Sequence, residues 1–110
     1  MISIDDFKKI EMKIGKIEFV EKVPDTDKLL RLTVDFGDAE LRQVISGIAE
    51  FFTDPQSLIG VKCPFVTNLE PREIRGLVSE AMIVAVSTAD GQFSILEPTL
   101  ADIPAGTTLT

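Results

Sequence analysis

One stretch, residues 12–23, limits the folds open to this chain more than any other. It reads as a long β-strand whose apolar alternation changes phase part-way. Met12 and Ile14 point one way, Ile17 and Phe19 the other, and Gly15-Lys16 lies at the switch. Side chains alternate with period two along a strand, so a flip needs an extra residue or a kink, which glycine tolerates. A strand that serves two sheets in succession behaves this way, as strands of small, strongly bent β-barrels do.

The flanking sequence supplies the other parts of such a barrel. Ser3 can cap a helical turn, with Asp6 three residues on as a short-armed capping box. Phe7 and Ile10 fall on one face of that turn and are expected to plug a barrel end. Pro24-Asp25-Thr26-Asp27 is a turn by composition. Residues 29–36 then alternate, with Leu30, Leu32, Val34 and Phe36 inward. Residues 41–48 read as a third strand. A short helix is expected over 48–52, then a second turn capped by Asp54 with Pro55 at its first position and Gly60 as its stop. Residues 61–67 read as a fourth strand, in which Pro64 argues for an edge or irregular position. Residues 81–87 are apolar on both faces and are expected to be buried on both. Phe93–Leu96 and residues 107–110 add short strands. The chain is therefore mainly β. Three strands, a short helix and two more strands is the order of an OB-fold, a five-stranded Greek-key barrel with its helix between strands 3 and 4. An unrelated small barrel gives the same periodicity. With a single domain over 1–110, the barrel core covers about 8–87. The apolar extension, about 88–110, is free for a second role.

Histidine is absent from the 110 residues, which excludes His-dependent serine or cysteine triads and His-containing zinc sites. The lone Cys63 can make neither an internal disulfide nor a thiolate metal site and suits a reducing cytosol. No apolar run approaches the ~20 residues that span a bilayer, and Met1–Asp6 lacks the pattern of a signal peptide. A cytoplasmic binding module without catalytic residues, metal or cofactor is the expectation, with a carboxylate or lysine enzyme as the remaining alternative. The net charge is −7, from 11 Lys+Arg against 18 Asp+Glu. All 11 cations lie at or before Arg75, so any basic surface belongs to the barrel. Lys28, Arg31, Arg42, Arg72 and Arg75 fall where an OB-fold holds a ligand, across strands 2 and 3 and the loops beside them. They suit phosphate, and they equally suit surface ion pairs with the interleaved carboxylates.

Five motifs occur in order. They are Asp6-Phe7…Lys9-Ile10-Glu11…Gly15-Lys16-Ile17; Pro24-Asp25…Asp27-Lys28-Leu29; Arg42-Gln43-Val44…Ser46-Gly47-Ile48; Asn68-Leu69…Pro71-Arg72…Arg75-Gly76; and Ser79-Glu80-Ala81-Met82. Together they resemble the tRNA-binding domain family, found at the C-terminus of many methionyl-tRNA synthetases and as stand-alone dimeric proteins. The resemblance implies an OB barrel that binds tRNA by shape and forms a homodimer through elements outside the barrel. A methionyl-tRNA synthetase catalytic chain is a further implied partner, and one branch of relatives is chaperone-like. Carried onto this chain, Lys28, Arg42, Arg72 and Arg75 become phosphate contacts. Ser46, Asn68 and Ser79 become sugar or phosphate hydrogen-bonders. Glu80 orients Arg75 or accepts a base amino group, and Met82 packs in the core or on a base. Glu73 and Ala81 depart from the family pattern, which commonly has Lys and Gly there.

Overall fold

The computed structural model describes residues 1–110. A capped turn α1 (Ile4–Phe7) leads into β1 (Met12–Lys22), β2 (Leu30–Asp35) and β3 (Arg42–Ser46). Two 3-10 turns, Ala49–Phe51 and Pro55–Leu58, precede β4 (Lys62–Val66). Then come the hairpin β5 (Arg72–Ile74) and β6 (Leu77–Ser79), the short β7 (Met82–Ile83), and a second hairpin of β8 (Ala85–Ser87) and β9 (Phe93–Ile95).

β1 organises these parts. Its first half pairs with β4, from Met12 opposite Val66 to Lys16 opposite Lys62. Its second half pairs with β2, from Lys16 opposite Asp35 to Lys22 opposite Leu30. The antiparallel sheet runs β3-β2-β1-β4-β7. It curls until β3 meets the chain between β6 and β7, where the Glu80 amide donates to the Gln43 carbonyl at 2.8 Å. The result is a nearly closed five-stranded barrel. Inside it Ile17, Leu30, Leu32, Val34, Val44, Cys63 and Phe65 are fully shielded. Each large apolar side chain so buried contributes about 1.5–3 kcal/mol. Phe36 and Phe65 meet edge to face at 5.2 Å.

Tight curvature brings opposite walls against Gly15. A Cβ added there would lie 2.5 Å from Val34 Cγ1, 2.6 Å from Phe36 and 2.9 Å from Phe65. β1 changes ladders at Lys16, where the sequence pattern places the switch, and a bulge follows two residues further on. Ile17 faces Val34 and Phe19 faces Thr33, leaving Glu18 as the extra residue of a bulge. Ile17 and Val20 consequently both enter the core, and Phe19 turns outward rather than sharing Ile17's face, 62% exposed.

Some other expectations need correction. The capping box at Ser3 and Asp6 is present, but α1 buries nothing and Phe7 and Ile10 stay half-exposed, so it is no plug. The short helix and the Asp54-capped turn expected after β3 are both present, as 3-10 turns, with Asp54 accepting from Gln56 N. Its Phe51 stacks on Phe93 of β9 at 4.5 Å. Pro64 takes the irregular of the two positions expected for it, beside β1 and just past the end of the β4–β7 ladder. It faces Ile14 of β1 and accepts from Val84 N, so the missing N–H coincides with the end of the short β4–β7 ladder. The 81–87 run is broken between β7 and β8, and Met82 and Val86 are about half-exposed instead of doubly buried. The C-terminal residues return to the barrel. Ile14 N donates to Thr107 O, and Gly106 N and Leu109 N donate to the carbonyls of Ile14 and Met12. They occupy the side of β1 that β2 has left.

Burial, and secondarily the charge of Glu97, pushes the Cys63 thiol up to about 12, so it stays a neutral core side chain. No helix is long and apolar enough to cross a membrane.

Gly15→Ala should lower stability by roughly 1–3 kcal/mol through overpacking, read as a lower urea midpoint. Gly47→Ala, where a Cβ meets nothing within 4 Å, should change it by no more than about 0.5 kcal/mol.

Candidate nucleic-acid interface

The feature that shapes the surface is a hairpin where the sequence reading has only a loop. β5 and β6 pair from Arg72 opposite Ser79 to Ile74 opposite Leu77. The two residues between, Arg75 at φ 53° and Gly76 at φ 80°, have the positive angles of a type I′ turn, whose twist matches the flanking strands. Arg75 is therefore held at the hairpin tip by its backbone.

The hairpin leans over β3 and borders a groove made of two adjoining depressions. Ile45, Leu69, Glu70, Arg72, Ser79, Ala81 and Met82 line one part. The turn at residues 25–29 and Arg75 line the other, and Ile74 belongs to both. Of the expected site residues, Arg72 and Met82 line the first and Lys28 and Arg75 the second. All four are exposed, and none of the three cations has a carboxylate within 4 Å. The five ion pairs of the molecule involve Lys9, Lys13, Lys16, Arg31 and Arg42 instead. Three cations stand against Asp25, Asp27 and Glu70 in the groove lining, so the groove is formally neutral while the whole chain is at −7.

The remaining expected residues are engaged in holding the framework. Arg42 donates from Nη1 to Thr67 O at 3.0 Å and from Nη2 to Asp38 at 3.1 Å, and its guanidinium lies 5.2 Å from the Phe36 ring centroid. Asn68 accepts from Glu11 N at 2.8 Å and donates to Lys9 O at 2.7 Å, fastening the N-terminal segment to the end of β4. The buried Ser79 hydroxyl accepts from Ile45 N and donates to Ala81 O, both at 3.0 Å. Glu80 accepts from Gln43 N at 3.2 Å and makes no ion pair with Arg75, contrary to the orienting role expected of it. Ser46 is half-buried at the end of β3, opposite Leu30. Gln43, which the sequence reading passes over, donates from Nε2 to Val78 O and so helps hold the hairpin.

One carboxylate away from the groove is shifted. The Thr67 hydroxyl holds the Glu11 carboxyl below the usual carboxylate range; burial opposes it, and the positive charges of Lys13 and then Arg42 add to the lowering.

Residues 12–108 match the family model described as "Putative tRNA binding domain". The chain belongs to the tRNA-binding domain family. A methionine–tRNA ligase of Listeria monocytogenes is 46% identical over 105 residues, covering 96% of this chain and 15% of that protein. Another, from Helicobacter pylori, is 45% identical over 98 residues, covering 89% of this chain and 15% of that protein. The chain therefore spans about a seventh of the length of such relatives. Among solved structures, a MetRS-related protein from Pyrococcus horikoshii superposes with a TM-score of 0.91 at 34% identity, covering 100% of this chain and 98% of the other. The chaperone CsaA from Bacillus anthracis superposes at 0.86 with 27% identity, covering 100% and 99%. The family is a tRNA-binding module that recurs within an enzyme.

Ser79→Ala should cost about 1–3 kcal/mol, because it leaves the buried Ile45 N–H without an acceptor, and Arg72→Ala about 0.5 kcal/mol or less. Equilibrium urea unfolding of both variants checks the contrast.

Proposed function

We propose that the chain is a non-catalytic OB-fold module that binds folded tRNA by shape, through the groove under the β5–β6 hairpin, and assists aminoacylation in the cytoplasm. The fold reading rests on the strand order β3-β2-β1-β4-β7 and on the return of the chain to β3, the connectivity of a Greek-key OB barrel. The observation that carries the binding reading is the convergence of Lys28, Arg72 and Arg75, unpaired, on one groove beside the half-exposed Met82. Planar guanidinium groups can give two parallel hydrogen bonds to one phosphate. Arg42 acts in this reading as an internal brace, since two of its donors are already bonded. Ser46 is left as the hydroxyl contact of the four strand and loop positions, because Asn68 and Ser79 are tied to the backbone and Glu80 to Gln43.

Three phosphate contacts give a slope of log K against log salt of roughly −2 to −3. That is modest binding for one protomer. A homodimer would present two grooves to one tRNA and raise the effective concentration without new chemistry. Val86, Leu96 and Leu100 supply exposed apolar surface for such pairing, in a part of the chain that carries no basic residue. A methionyl-tRNA synthetase catalytic chain is a second partner in this reading, because the relatives carry the same module inside one polypeptide. The likeness to CsaA favours one alternative, a chaperone-like role in which the partner is an unfolded polypeptide.

Arg72→Glu with Arg75→Glu should weaken tRNA binding roughly tenfold or more and flatten the salt slope by about 2. A salt-titrated binding assay of the pair against folded tRNA and unstructured RNA of equal length reads both. Equal affinity of the parent chain for the two RNAs overturns shape recognition, and capture of unfolded clients without tRNA binding supports the chaperone role. Sedimentation equilibrium should find a dimer that Val86→Asp with Leu100→Asp converts to monomer.

A further inference from the structure

Phe19 is the most exposed of the seven phenylalanines, at 62%. Phe36 and Phe65 fill the barrel, and Phe51, Phe52 and Phe93 pack on one another. Its exposure has a local structural cause. Without the extra residue at Glu18, alternation from the buried Ile17 would send Phe19 inward. With it, Val20 takes the inner position and the ring is turned onto the outer face of β1. A bulge that re-aims one side chain commonly sits beside a functional site.

That outer face leads to the groove. Phe19 lies opposite Thr33 of β2, and Thr33 lies opposite Gln43 of β3. Gln43 in turn holds Val78 of the hairpin. The next row along the same face runs Glu21, Arg31, Ile45, and Ile45 is part of the groove lining. The hairpin covers β3 and leaves the β1–β2 portion open. Beside the groove wall bearing Arg72 and Arg75, this outer face therefore carries one exposed aromatic ring and, in the next row, the Arg31–Glu21 ion pair.

We infer that Phe19 is a stacking platform for an unpaired base of the bound RNA, so that the wall holds phosphate while the outer face holds a nucleobase. The inference rests on the tRNA-binding reading above and adds to it a contact that is independent of charge. A duplex offers no free base faces along its length, whereas a folded RNA with loops does, and stacking on an aromatic side chain is tolerant of base identity. The occupant fits the surroundings, because a nucleotide brings an aromatic face for Phe19 together with an anionic phosphate for the unpaired cations two strands away. The exposed ring has no other aromatic within stacking distance in its own chain.

The chain contains neither Trp nor Tyr, so Phe19→Trp makes a single emitting reporter at the position in question. Titrated with tRNA at fixed salt, this variant should bind at least as tightly as the parent, and its emission should be quenched as the complex forms. Phe19→Ala should bind about fivefold to a hundredfold more weakly with the salt slope unchanged, because no phosphate contact is lost. A blunt RNA duplex without unpaired bases should leave the Trp emission unaltered. Parent-like affinity of Phe19→Ala, or Trp emission unmoved at saturating tRNA, overturns the inference while leaving the charge-based reading standing. A parent chain that fails to bind tRNA overturns both. A concentration-dependent blue shift of the Trp emission without RNA, matched by dimer loss in Phe19→Ala on sedimentation, assigns the ring to a contact between copies and also overturns it.

Discussion

β1 takes part in two ladders, and everything that defines the site follows from how closely the barrel must close around it. At Lys16 the strand changes its hydrogen-bonded neighbour from β4 to β2. The inner side of the bend has room for no side chain at all at Gly15, where Val34 and Phe36 from the end of β2 and Phe65 of β4 converge. Interiors pack at crystal-like density, so a single methyl at such a point displaces neighbours instead of filling a gap. The same curvature strips β1's first half of its β2 partner. Residues 106–109 bond to it there, which ties the C-terminal segment to the barrel.

The closure also decides which polar residues remain for a ligand. Near-closure between β3 and the β6–β7 corner leaves little regular ladder. Side chains complete it: Ser79 for Ile45, Glu80 for Gln43 N, Gln43 for Val78. Asn68 and Arg42 likewise bond backbone groups that the strands leave unmatched. An unpartnered buried N–H costs as much as a good hydrogen bond contributes. Among the five, Ser79 carries the buried case, and the others fasten more exposed backbone to the barrel. The expected site residues of this chain thus divide into those bonded within the framework and those, Lys28, Arg72, Arg75 and Met82, that line the groove.

Much of this was legible in the order of residues and some of it was not, for identifiable reasons. The period-two pattern of β2 gives its inward set without ambiguity, because one face is core and the other solvent. Ser3 with Asp6, and Asp54 with Pro55, announce their turns through local hydrogen bonds that need no tertiary partner. The bulge at Glu18 is different. Ile17, Phe19 and Val20 are all apolar, so two registers satisfy the pattern equally, and only the pairing of Ile17 with Val34 and Val20 with Leu32 on β2 selects one. The I′ turn at Arg75-Gly76 hides for a related reason. Arg is a poor residue at positive φ, at a cost of roughly 1 kcal/mol, and the usual Asn-Gly or Asp-Gly signal is missing. The engagement of Asn68 with Lys9 and Glu11, nearly 60 residues away, lies wholly outside any local reading.

How an anionic protein can hold a polyanion turns on the range of each force. The excess charge of −7 acts at a distance, where ions screen it over ~8–10 Å, and it slows encounter more than it weakens contact. Contact free energy depends on what lies within hydrogen-bonding reach, and there the groove is neutral, with its cations unpaired and its carboxylates set in the 25–27 turn and at Glu70. A ligand that fits the groove meets guanidinium groups without first displacing bound carboxylates. One that does not fit meets the net repulsion alone. A negative overall charge therefore sharpens recognition by shape, since it removes the non-specific attraction that a basic protein offers to every nucleic acid. In the binding reading proposed above, uncharged contacts such as Met82 and Phe19 would carry a larger share of the selectivity than they would on a cationic surface.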